Sequence, residues 1–234
     1  MTDHTVKAFD QDIGELRGHI AEMGGRAEVA ITLAMQALVS RDLDLARQII
    51  EDDKAIDRLE SEVEKLAVRI IALRAPMADD LRGVVAALKI AAVLERVGDY
   101  GKNIAKRVGA LQGRRSIEPI LLLPTMAKVA VEMLHDVLDA FAARDIFAAI
   151  EVTQRDRVVD DFYNSIFRTL VTYMYENPQS IGDAAHLLFV AKNLERVGDH
   201  ATNVAEMVYF AATGEYLAER NKVDPFIENQ DDTV

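Results

Sequence analysis

The chain has no cysteine, and only five prolines and twelve glycines among 234 residues. Without cysteine there is no disulfide framework, no thiolate metal site and no cysteine nucleophile, and the composition suits a reducing cytoplasm. With so little turn-forming material, a fold of many short strands has nothing to build its turns from. Basic charge is also scarce, since 27 Lys and Arg face 39 Asp and Glu for a net charge of −12. That balance speaks against nucleic acid, whose binding needs clustered Lys and Arg to replace phosphate counterions. No run approaches the roughly 18 apolar residues of a membrane span. Ile120-Leu121-Leu122-Leu123, boxed by Pro119 and Pro124, is far too short, and Met1 to Lys7 carries no signal-peptide pattern. A cytoplasmic protein without membrane insertion is expected.

Half the residues are hydrophobic, and one six-residue stretch occurs twice: Leu94-Glu95-Arg96-Val97-Gly98-Asp99 returns as Leu194-Glu195-Arg196-Val197-Gly198-Asp199. An asparagine follows each copy, at Asn103 and Asn203. Upstream, Arg41-Asp42 with Asp53 and Asp57 is echoed by Arg144-Asp145 with Asp156 and Asp160, at a shift of 103 residues instead of 100. Such self-similarity settles the architecture before any local reading. The spacing predicts an all-α chain of two pseudo-symmetric three-helix bundles of long antiparallel helices, related by an approximate internal twofold and set end to end or side by side. The first bundle is expected over 1–113, a linker over 114–118, the second bundle over 119–214 and a polar tail over 215–234.

Apolar residues recur every three or four positions from Val6 to Ser40, which predicts the first helix. Asp42 is a candidate N-cap for the second, whose Ile49, Ile56, Val63 and Ile70, with Leu59, Leu66 and Leu73, form a helix–helix seam. Pro76 ends it, and Asp79 or Asp80 is expected to cap a third helix running to about Leu111. In the second half the helices are expected over about 125–143, 145–176 and 181–212, with Thr213-Gly214 as the stop. Tyr163, Tyr173, Tyr175 and Tyr209 are read as core or interface.

Glu95 and Asp99 lie four residues apart, on one helix face with Asn103 a turn further on, and Glu195, Asp199 and Asn203 repeat this. Asp53 with Asp57, and Asp156 with Asp160, have the same spacing on the preceding helices. If those helices are neighbours, four carboxylates converge in each half. Like charges repel at this spacing, and a bound cation is one remedy. All-oxygen donor sets suit Mg, Mn, Fe or Ca. Gly98 and Gly198 sit beside each Asp, and a mid-helix glycine, which costs about 1 kcal/mol against alanine, marks a close approach. The blander alternative is a solvated face paired with Arg96 or Arg196. His200 follows Asp199 where the first half has Tyr100, so a histidine is not essential to the shared design, although His200, Asn103 and Asn203 are possible additional ligands. Glu132 and His135 are read as solvated surface. There is no glycine-rich phosphate loop and no nucleophile–base arrangement.

The chain resembles the PhoU family of phosphate-transport accessory and regulatory proteins over nearly its whole length. The resemblance rests on Leu73-Arg74-Ala75-Pro76-Met77-Ala78-Asp79-Asp80-Leu81-Arg82, on both Leu-Glu-Arg-Val-Gly-Asp copies with Lys102-Asn103-Ile104-Ala105 and Ala201-Thr202-Asn203-Val204-Ala205-Glu206, and on the closing Tyr209 and Gly214. It implies two three-helix bundles, no enzymatic activity, and carboxylate motifs that in some members hold multinuclear iron or zinc clusters. Carried over, the metal-binding set is Asp53, Asp57, Glu95 and Asp99, with Asp156, Asp160, Glu195 and Asp199. It further implies an adaptor, plausibly a homodimer, between the ATPase subunit of a phosphate ABC importer and a membrane sensor histidine kinase, holding the phosphate-starvation response off when phosphate is plentiful. The second half has Asn177-Pro178-Gln179-Ser180 in place of the Arg74–Arg82 stretch, which implies different partners for the two halves. The competing reading is a metal-dependent hydrolase acting on phosphate esters, in which two ions about 4 Å apart activate water.

Overall fold

The computed structural model describes residues 2–111 and 118–217. Among the described residues there are six long helices: α1 (Thr2–Ser40), α2 (Leu43–Arg74), α3 (Asp79–Ala110), α4 (Leu123–Ala143), α5 (Ile146–Glu176) and α6 (Ile181–Thr213). Short 3-10 turns at Glu118–Leu122 and Pro178–Ser180 precede α4 and α6. The expected linker lies outside the described residues except for Glu118, and so does the tail beyond Leu217.

Helices α1, α2 and α3 pack mutually, as do α4, α5 and α6. The two bundles lie side by side, joined by α3 on α6 and α1 on α4. Along the first contact Lys89 meets Phe210, Tyr100 meets His200 and Arg107 meets Phe189, so α3 and α6 run antiparallel. Residues 100 and 200 are equivalent in the repeat and touch each other, which places the internal twofold axis between them.

The apolar stripes fall where the periodicity puts them. Ile49, Ile56, Leu59, Val63, Leu66 and Ile70 are buried along α2, each contributing roughly 1.5–3 kcal/mol of hydrophobic stabilisation. Leu73 departs from that seam at 70% exposed, because α2 ends a residue later at a left-handed Ala75. Tyr175 likewise stands 88% exposed at the end of α5, outside the core expected of it, whereas Tyr163 and Tyr173 pack against the core.

The α1–α2 and α4–α5 corners are both Arg-Asp pairs. Asp42 Oδ1 accepts from the amides of Asp44 and Leu45 at 3.0 and 2.9 Å, and Asp145 Oδ1 accepts from those of Phe147 and Ala148 at 2.9 and 3.1 Å. The Arg before each cap is left-handed, at φ 59° for Arg41 and 55° for Arg144. Neither Asp79 nor Asp80 caps α3, contrary to expectation. Ala78, at φ 46°, takes the cap position with no side-chain hydrogen bond, and the two carboxylates sit in the first turn, where the helix dipole favours them. The turn before it is anchored elsewhere: Arg74 Nε donates to buried Asp12 on α1 at 3.0 Å, and Arg69 donates to the same carboxylate at 3.1 Å.

Candidate functional site

Each half carries its carboxylates where the middle helix meets the motif helix. Gly98 is what lets α2 approach α3 there. A Cβ at that position would fall 2.7 Å from Ile56 Cδ1 and 3.4 Å from Asp53 Oδ1. At Gly198 it would fall 3.3 Å from Val159 Cγ1 and 3.4 Å from Asp156 Oδ1, so the second half repeats the register. Gly101 makes a second close contact on the other side of α3, against backbone, where a Cβ would stand 3.0 Å from the Ala30 carbonyl carbon of α1. The equivalent residue in α6 is Ala201.

This register brings Asp53 to Asp99 and Glu95, with Asp57 exposed one turn along. Asp53 is 5% exposed, yet its charge is not left bare. Lys102 Nζ donates to Asp53 Oδ2 at 2.5 Å and to Asp99 Oδ1 at 2.8 Å, bridging α2 and α3. The bridge pushes the Lys102 ammonium well above its ordinary value, chiefly through the Asp53 hydrogen bond and then that of Asp99. Burial raises the Asp53 carboxyl, with Lys102 opposing the rise. Glu95 is raised by burial first, then by Asp99, Glu60, Asp57 and Asp53. Glu60, which the repeat did not single out, is itself raised by burial and by Glu64 and Asp57.

The second half solves the same charge problem from a different position. Thr202 stands where Lys102 would be, and its hydroxyl donates to the Asp199 carbonyl at 2.7 Å. The cation comes from one turn upstream, where Lys192 Nζ donates to Glu195 Oε1 at 2.7 Å and lies 2.6 Å from Oε2, while sitting 5.1 Å over the Tyr163 ring. Asp156 is 3% exposed beside Gly198, and Asp160 is half-buried one turn further on. Arg96 and Arg196, the partners of the solvated-face alternative, are exposed, and Lys102 and Lys192 bond Asp53, Asp99 and Glu195.

The donor set is hard oxygen, chemically apt for Mg, Mn or Fe. Its arrangement is another matter. Among the described residues no three Asp, Glu or His side chains stand close enough to share one ion, and an ammonium bridges Asp53 and Asp99. A divalent ion in the first half would have to displace Lys102.

Of the further candidates, His200 belongs to the bundle interface. The Tyr100 and His200 rings stack with centroids 5.5 Å apart, and the hydroxyl lies 2.9 Å from His200 Nε2. The Asn203 amide nitrogen lies 3.3 Å from Nδ1, and taking it as the donor assigns the neutral ring's proton to Nε2, facing the tyrosine oxygen. Burial lowers the His200 pKa, Arg96 and Arg196 add to the depression, and Asp199 opposes it. Asn103 is half-buried on α3. His135 is solvated surface as expected, 59% exposed, and its Nδ1 lies 3.3 Å from Glu28 of α1.

The His200 shift fixes a sign. A base depressed in the folded state costs stability once pH falls below its unfolded value, because the unfolded chain takes the proton first. Against His200→Phe, which keeps the stack, the native protein is expected to lose stability as pH falls from about 6.5 to 5.5. The loss stays under the one-proton ceiling of about 1.4 kcal/mol per pH unit, since the ring is partly screened by solvent. Paired thermal melts across that window check this, and parallel pH profiles for the two proteins would refute it.

These features define a duplicated helical-bundle scaffold, folded about an internal twofold and carrying one carboxylate face per half. The PhoU domain signature matches residues 20–108 and 123–208, one copy per bundle. The chain belongs to the PhoU family. It is 57% identical over 219 residues to the phosphate-specific transport system accessory protein PhoU homolog of Zymomonas mobilis, covering 94% of this chain and 92% of that one. Identity to the protein of that name from Caulobacter vibrioides is 47%, with 96% and 98% covered, and to the Escherichia coli PhoU accessory protein 36%, with 92% and 89% covered. Among solved structures, PhoU from Pseudomonas aeruginosa superposes with a TM-score of 0.84 at 35% identity, covering 88% of this chain and all of that one. The phosphate transport system regulatory protein PhoU from Streptococcus pneumoniae does so with 0.84 at 31% identity, covering 90% and 100%. These relatives are named as accessory or regulatory proteins and not as enzymes.

Proposed function

We propose that this chain is an accessory and regulatory protein of phosphate transport, acting in the cytoplasm as an adaptor. It links the ATPase subunit of a phosphate ABC importer to a membrane sensor histidine kinase and holds the phosphate-starvation response off when phosphate is plentiful. Whole-length similarity to PhoU accessory proteins carries this reading. The fold is compatible with it: α2 and α5 lie on the two flanks of the side-by-side bundles, giving long lateral surfaces for partners. No helix among the described residues is long and apolar enough to cross a membrane, so contact with the importer and kinase runs through their exposed domains. The two ends of the molecule differ, with the Arg74–Arg82 turn at one and the Pro178–Ser180 turn at the other, which suits two different partners. Homodimerisation belongs to the same reading.

The hydrolase alternative lacks support, because Lys102 occupies the position between Asp53 and Asp99 that an ion would need. The adaptor reading is tested by passing the detergent-solubilised importer complex and the kinase separately over the immobilised chain. Retention of both is expected. Retention of neither would overturn the adaptor.

A further inference from the structure

At one end of the molecule, where the two bundles meet, a cavity of about 190 Å³ opens between α1, the start of α3, the α4–α5 corner and the end of α6. Its floor is apolar, from Leu16, Ala87 and Val208, and Arg17, Arg144 and Asp80 converge on it. Neither guanidinium makes a hydrogen bond or an ion pair within the described residues, in a chain where acids outnumber basic residues. Asp79, the other acid at the rim, is engaged by Arg82 at 2.6 Å. The two arginines and Asp80 therefore leave one net positive charge facing the cavity.

The arginines also disfavour each other. Burial lowers the Arg17 pKa first, Arg144 lowers it further, and Asp80 offsets part of the effect. Arg144 is held at φ 55°, a conformation that glycine adopts without the roughly 1 kcal/mol cost of an L side chain. Two guanidiniums without a hydrogen-bond partner among the described residues, lining one cavity, offer the paired N–H donors that recognise a tetrahedral oxyanion. The first turn of α3 lines the same cavity, and the positive end of its dipole adds to the attraction.

We propose that this cavity is a binding site for one phosphate-sized oxyanion, clamped between Arg17 and Arg144 across the interface of the two bundles. Naming inorganic phosphate as the occupant rests on the regulatory reading above. The ligand bridges α1 of the first bundle and the α4–α5 corner of the second, so occupancy ties the bundles together at this end.

Isothermal titration of the purified full chain with inorganic phosphate, beside acetate at equal ionic strength, tests it. Saturable binding of phosphate and none of acetate is expected. Arg144→Gly is the informative variant, because glycine accepts φ 55° without strain and the fold is kept. It should weaken phosphate binding by at least about tenfold, the factor carried by one charge-assisted hydrogen bond, and Arg17→Gln should do the same. Absence of saturable phosphate binding, an equal response to acetate, or unaltered binding in both variants would overturn the site. Failure here together with a chain that still represses the starvation response in cells would remove the site and leave the regulatory role standing.

Discussion

Lys102→Met lowers the stability of the folded chain by about 3 kcal/mol at pH 7. The expectation follows from burial: the Asp53 side chain is 4% exposed, and Lys102 is the cation bonded to it. Removing one partner of a buried pair leaves the other charge uncompensated, at a cost of roughly 3–5 kcal/mol, and the low end applies because the Lys102 side chain is 25% exposed. Met keeps most of the apolar stem, so the loss reports the charge. Lys102→Arg, which retains it, costs less.

The same variant has a defined pH signature. Burial already raises Asp53 in the native protein, and loss of the ammonium raises it further. A carboxyl whose folded pKa lies above its unfolded value costs stability at neutral pH and recovers it as pH falls through the folded value. The gap between native and variant proteins is therefore expected to narrow from pH 7 toward pH 5. Divalent ions provide a second check, since a vacated position between Asp53 and Asp99 should let Mn²⁺ or Mg²⁺ stabilise the variant while leaving the native protein unmoved. A loss under about 0.5 kcal/mol with no pH dependence would mean that Lys102 is an ordinary surface lysine.

The repeat makes the architecture legible in the sequence. Asp42 caps α2 as expected, Gly214 ends α6 at φ 82°, and the α2 seam is buried from Ile49 to Ile70. Gly98 and Gly198 mark real close approaches. What escaped has a common cause: comparison of the halves letter by letter hides whatever they do differently. Lys102 aligns with Thr202, and Lys192 aligns with Ala92, so neither lysine is part of the repeated pattern. Each half nonetheless binds one to its carboxylates, from opposite sides of the motif.

Tyr100 and His200 make the point more sharply. Their difference argued against a shared role for either. On a twofold axis, equivalent positions face each other, and here the two unlike residues stack and hydrogen-bond across it. The failed N-cap of α3 has a different origin. Arg74 and Arg69 tie the end of α2 to Asp12, a contact 57 or more residues away in sequence that local patterns do not carry. The cavity between Arg17 and Arg144 was equally invisible, since it exists only where four helices from both bundles come together.

The regulatory role itself is tested most directly in cells. With the chain deleted and phosphate abundant, a starvation reporter such as secreted alkaline phosphatase is expected to rise by an order of magnitude or more, and re-expression of the chain should silence it. A reporter that stays as low in the deletion as in the parent would contradict the account.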